Sequence, residues 1–93
     1  MGFNMRVDKY LKVARILKRR VVAKELADNQ RILINDKVAK ASSTIKEEDV
    51  ITIIFGNRSL KIKVVKIAEY VKKEDSSDLY EIIEELRMMK NED

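Results

Sequence analysis

The sequence predicts an α+β fold: an N-terminal helix pair packed on a small antiparallel sheet, with a C-terminal helix. Three observations lead there. Apolar residues recur at helical spacing over residues 7–17 and again over 79–89. Between these stretches the pattern changes to short β-branched runs, "RILIND" and "VITIIF", bounded by turn residues. The chain has 93 residues, room for one small domain with a limited core.

Val7, Tyr10, Leu11, Ala14 and Leu17 fall at i, i+3, i+4, i+7 and i+10, one face of an amphipathic helix, with Lys9 and Lys12 turned to solvent. Ala23, Leu26 and Ala27 mark a second helix, ended near Asp28-Asn29, where Asn tolerates a left-handed cap. "RILIND" reads as a strand closed by a tight turn at Asn35-Asp36, with Val38 beginning the return. "ASSTIKEED" is polar and loop-like, and "VITIIF" has the composition of a strand buried on both faces. "GNRS" supplies a turn, after which Leu60, Ile62 and Val64 alternate with Lys61 and Lys63 as a half-exposed partner strand. "KKEDSSD" is a charged linker, in which Ser77 caps a last helix with the stripe Leu79, Ile82, Ile83, Leu86 and Met89. The expected organisation is a domain over 5–55, its remaining strands over 56–71, and the linker with an acidic helix over 72–93.

Composition removes most chemistry. With no Cys and no His, disulfides, thiolate ligands, the usual zinc sites and the commonest general base are all missing. No carboxylate pattern resembles a metal loop, so neither a metal nor another cofactor is expected, and an independent enzyme is disfavoured. The longest apolar run is too short to span a bilayer and "MGFNMR" has no signal-peptide core, so the chain reads as soluble and cytoplasmic, without a membrane partner.

What remains is charge. The net charge is +4, but residues 1–40 hold eleven Lys/Arg against four Asp/Glu, and from Glu74 onward eight acids face two bases. A basic half and an acidic tail fit a polyanion bound on one side only. Lys18, Arg19 and Arg20 fall at the junction of the two helices, beside the free N–H groups and positive dipole of the second. Guanidinium groups and backbone donors together make an anion site. Arg6, Lys9 and Lys12 extend it along the first helix, Lys24 along the second, and Arg31 and Lys37 towards the hairpin. Phosphates repeated along a nucleic acid suit such a strip. A charge run is equally a solvated face, and composition alone leaves both readings open. Asp8 is placed to hold Arg20 and clamp the helices while the other cations stay available. The chain is poor in aromatics, so stacking platforms are a weak prospect, and recognition of structured RNA by backbone and shape is favoured over base reading. The apolar stripe of the predicted C-terminal helix offers a different role, a protein-docking face, against its simpler use in packing on the chain's own sheet.

The run from Arg6 to Ile53 resembles the RNA-binding domain named after ribosomal small-subunit protein S-four. The matching positions are Arg6-Val7-Asp8, Leu11, Arg19-Arg20, Ala23, Leu26, the hairpin segment from Gln30 to Asp36, and Glu48-Asp49-Val50. Gln30, Asp36 and Glu48 stand where the pattern has glycines that relieve left-handed or tight-turn backbone. "MRVDKYLKVARILKRRVVAKE", with the later "ITIIFGNRSLKIKVVKI" and "YEIIEE", is similar to the short stand-alone RqcP (YabO-type) family over nearly the whole chain.

That resemblance implies docking on the large ribosomal subunit, contact with its rRNA and with peptidyl-tRNA, and support of nascent-chain tailing by an RqcH-type factor. It also implies a monomer off the ribosome. Arg6 and Arg20 are the first residues it assigns to RNA. The alternatives are the heat-shock ribosome-recycling protein of the same superfamily, and a general structured-RNA-binding accessory. The acidic C-terminus argues for the first family.

Overall fold

Along the chain, β1 (Met5–Arg6) leads into α1 (Val7–Val13) and α2 (Arg20–Asp28), then β2 (Ile32–Ile34), β3 (Lys37–Val38), β4 (Thr44–Ile45), β5 (Val50–Phe55) and β6 (Arg58–Val64). A 3₁₀ helix (Lys73–Leu79) and β7 (Tyr80–Arg87) complete the computed structural model, which describes residues 4–87. Five strands form one antiparallel sheet in the order β3-β2-β5-β6-β7, and β1 pairs separately with β4. Among these residues no helix is long and apolar enough to cross a membrane.

The core follows the two periodicities. Ile51 and Ile53 of β5 and Ile62 and Val64 of β6 are fully buried in one cluster with Val7, Tyr10 and Leu11 of α1 and Ala23 of α2. The small Ala14, Ala23 and Ala27 belong to the same buried set and let the helices approach closely. "VITIIF" is not buried on both faces: Val50, Thr52 and Ile54 are half-buried, the alternation of an antiparallel strand with one covered side. The loop-like "ASSTIKEED" contains β4, whose buried Ile45 pairs with Met5, while the Val7 N–H donates to the Ser43 carbonyl at 2.8 Å.

Both helices end earlier, or differently, than their stripes indicate. α1 stops at Val13, and Leu17 is buried from the connection beyond it. Arg15 takes φ 61°, its N–H bonding the Lys12 carbonyl at 2.9 Å while the Ile16 N–H reaches Leu11 at 3.0 Å. α2 repeats this closure one residue past the expected Asn29: Gln30 has φ 62°, its N–H meets Ala27 at 2.9 Å, and the Arg31 N–H meets Leu26 at 2.8 Å. These are Schellman motifs with long side chains in the place usually held by glycine. Asn35 and Asp36, at φ 52° and 70°, form the two-residue hairpin turn as predicted, and Glu48 has φ 80°. All three glycine-replacing positions are thus left-handed. Gln30→Gly is expected to stabilise the fold by about 0.5–1 kcal/mol, because the strain of a Cβ there exceeds the added freedom of the unfolded chain. An unchanged or lower urea midpoint would count against this.

Asp49 holds the hairpin in place. Its buried carboxylate accepts from Asn35 Nδ2 at 3.1 Å and from the Lys46 N–H at 2.9 Å, and Asn35 Oδ1 accepts from the Val50 N–H at 2.9 Å.

The C-terminal helix is a correction. Residues 80–87 form a strand along β6, and Ser77 lies inside the 3₁₀ helix that replaces the linker instead of capping an α-helix. Leu79 is buried, whereas Ile82, Ile83 and Leu86 are about half exposed, at 53%, 50% and 52%. A pairing irregularity at Lys61/Ile62 takes up the adjacent isoleucines. Met89 of the predicted stripe lies outside the described residues. The joint is fastened from the far end of the sequence: Tyr10 Oη donates to the Leu79 carbonyl at 2.6 Å, which also accepts from the N–H groups of Val65 and Lys66. Burial, with Tyr80 nearby, raises the Tyr10 pKa and keeps it a donor.

Candidate nucleic-acid interface

Asp8 sits in the first turn of α1, where a carboxylate suits the positive end of the helix dipole. It is only 4% exposed. Arg6, one residue before α1, grips it with two bonds, Nε to Oδ1 at 3.1 Å and Nη2 to Oδ2 at 2.9 Å. Arg20, the first residue of α2, adds a third, Nη2 to Oδ1 at 3.0 Å. Asp8 therefore clamps both arginines, not Arg20 alone. Burial works to raise the Asp8 pKa, but the hydrogen bonds and charges of Arg6 and Arg20 outweigh it and hold the carboxyl below its ordinary value.

Two cations share one anion, so the cluster keeps a net positive charge. The side chains of Arg6 and Arg20 remain 50% and 43% exposed. Held forks with free outer edges are suited to phosphate. Arg19 is the N-cap of α2, no side chain caps that end, and its first turn carries no acid. Lys18 and Arg19 are exposed there, in the connection that leads from α1 into α2.

The other predicted residues divide. Lys12 is exposed on α1, but Lys9 is half-buried and bonded to Glu69. Lys24 pairs with Asp28 at 3.3 Å on the surface of α2. Arg31 and Lys37 are exposed, the first just before β2 and the second at the start of β3, and line no part of the cleft described next.

Lys9, Lys12, Arg15, Arg20, Glu69 and Tyr70 surround an open cleft of about 350 Å³ beside α1. Arg15, Glu69 and Tyr70 were absent from the sequence-based set. The continuing apolar stripe hid the end of α1 at residue 13, and with it the turn that places Arg15 in the cleft. No local pattern ties residues 69–70 to α1.

The sequence pattern of the S4 domain matches residues 5–51. The RQC P-site tRNA stabilizing factor of Streptococcus pneumoniae is 52% identical over 87 residues, 94% of this chain and 99% of that protein. The proteins of the same name from Halalkalibacterium halodurans and Bacillus subtilis are 43% and 44% identical, covering 95% and 90% of this chain and 100% and 98% of their own lengths. A trimeric heat shock protein 15 of Vibrio cholerae shares the fold with a TM-score of 0.78 at 26% identity, covering 86% of this chain and 82% of that one. The domain match takes in the clamp, both helices and the hairpin, and the full-length relatives carry the likeness on through the later strands. The chain belongs to the S4 domain family and, within it, to the RQC P-site tRNA stabilizing factors.

Proposed function

We propose that this chain is a binding factor of ribosome-associated quality control, docking by its helix pair on the phosphates of large-subunit rRNA and P-site tRNA. It holds the peptidyl-tRNA while an RqcH-type partner extends the trapped chain, and contributes no catalytic group itself. The observation that carries the reading is the buried Asp8 with an arginine fixed on either side, each still about half exposed. The names of its full-length relatives support the same assignment.

Within the surface, Arg6, Arg20, Lys12, Lys18 and Arg19 are the principal phosphate contacts. Lys9 and Lys24 contribute less, because each already faces a carboxylate. Arg31 and Lys37 meet only a ligand long enough to reach the hairpin. The likeness to heat shock protein 15 supports a second reading, a recycling factor of the same superfamily acting on separated subunits.

Co-sedimentation tests the first. Large subunits carrying peptidyl-tRNA, empty large subunits and free duplex DNA are compared at low and high salt. Salt-sensitive preference for the tRNA-bearing subunit is the expected result. Equal pelleting with every polyanion would reduce the surface to a general basic patch.

A further inference from the structure

Tyr70 is the described aromatic residue that the core does not use. Tyr10 is fully buried, Tyr80 is half-buried, and Phe55 is half-buried with the Arg58 guanidinium 5.7 Å from its ring centre. Tyr70, by contrast, is 80% exposed and borders the cleft beside α1. Val13 and Val71 also line this space, giving it apolar wall beside a row of cations. The charges there are Lys9, Lys12, Arg15 and Arg20, with Glu69 as the single acid, bonded to Lys9. Lys12 and Arg15 are thus left facing the opening, joined by Arg20, which Asp8 holds by one Nη2 bond and whose side chain stays 43% exposed. Arg15 is held there at φ 61°, a conformation that carries a cost for a residue with a Cβ.

An aromatic face, a short apolar wall and three partly exposed cations around about 350 Å³ match the parts of one nucleotide: a flat base, and the phosphate beside it. A paired strand offers phosphates only, since its bases are stacked within the helix. We infer that this cleft takes an unpaired nucleotide of the bound RNA, its base stacked on Tyr70 and its phosphate held by Lys12, Arg15 and Arg20. The inference rests on the RNA-binding reading above. It adds to it a preference for RNA with a loop, bulge or free end at that point.

The test uses the full chain with Tyr70→Ala, Tyr70→Phe and Tyr70→Trp, against an RNA stem-loop and a fully paired RNA duplex. Because Tyr70 is so exposed, its replacement leaves the core untouched, which thermal melting verifies. Tyr70→Ala is expected to weaken stem-loop binding about tenfold, with the duplex unaffected and the salt dependence unchanged, since no charge is lost. Tyr70→Phe retains stem-loop binding. Tyr70→Trp introduces the sole indole of a chain that has none, and its fluorescence is quenched by the stem-loop and not by the duplex. If Tyr70→Ala binds both RNAs like the parent while Lys12→Ala weakens both, the nucleotide pocket is wrong and phosphate docking stands. Equal losses on both RNAs in Tyr70→Ala would also overturn base stacking. Failure of the parent chain to bind either RNA would overturn both proposals together.

Discussion

Arg20→Ala is expected to weaken binding to large subunits carrying peptidyl-tRNA by about 10- to 150-fold, a loss of about 1.5–3 kcal/mol for a charge-assisted contact. It is also expected to lower the logarithmic salt slope by about one. The fold survives this change, because Asp8 keeps both bonds from Arg6. Arg6→Ala should act in the same direction, but it removes two of Asp8's three side-chain hydrogen bonds and so carries a larger structural cost. Removing both arginines would strand a buried carboxylate, which costs about 3–5 kcal/mol and would confuse lost contact with lost structure. The single variants are therefore the informative ones. Arg20→Lys refines the result: it keeps the charge but loses the flat fork, so intermediate binding is expected. A folded Arg20→Ala protein that pellets with the subunits as the parent does would remove Arg20 from the interface.

Asp8→Asn is expected to weaken RNA binding although it raises the net charge from +4 to +5. The neutral amide no longer holds two guanidinium groups, and both forks lose their fixed position. Stability should fall by about 1.5–3 kcal/mol, the worth of hydrogen bonds to a charged group. The pH dependence gives an independent sign. The Asp8 pKa is lowered by folding, so its contribution is complete above the ordinary carboxylate value of about 4 and disappears as acid protonates the folded form below it. Asp49 is lowered too, with burial opposed and outweighed by bonds from the Lys46 backbone, Asn35 and the Lys46 ammonium, so it acts in the same window. Asp8→Asn should thus flatten the acid side of the stability curve without abolishing its slope. Tighter RNA binding by Asp8→Asn would show that charge alone governs affinity and that the clamp has no positioning role.

The features readable in sequence are those set by neighbours along the chain. The helix stripe through Val7, Tyr10 and Leu11, the two-residue turn at Asn35-Asp36 and the alternation of Leu60, Ile62 and Val64 with lysines all carry a local signature. Residues 79–86 carry two: Leu79, Ile82, Ile83 and Leu86 fit a helix, while the β-branched Ile82-Ile83 pair among acids fits a strand. What decides is the unfilled side of β6, a partner twenty residues away, whose backbone groups are satisfied by pairing with β7. The site divides the same way. The cationic corner was visible as three consecutive charges, and the likeness to the family singled out Arg6. Tyr70 was not legible, because its place in the cleft depends on where the chain returns after β6. The residue types at 30, 36 and 48 did not prevent left-handed backbone; the Schellman closure and the hairpin impose it at 30 and 36.

The bonds of Tyr10 to Leu79 and Lys9 to Glu69 span 69 and 60 residues. During synthesis the first helix is made early, yet its tyrosine has no acceptor until almost the whole chain has emerged. At about 5–20 residues per second, that wait is roughly 3–14 seconds. The surface offered to RNA is thus written first and finished last, and a nascent chain cut short before Leu79 would carry its charges without the bond that ties the first helix to the end of the sheet.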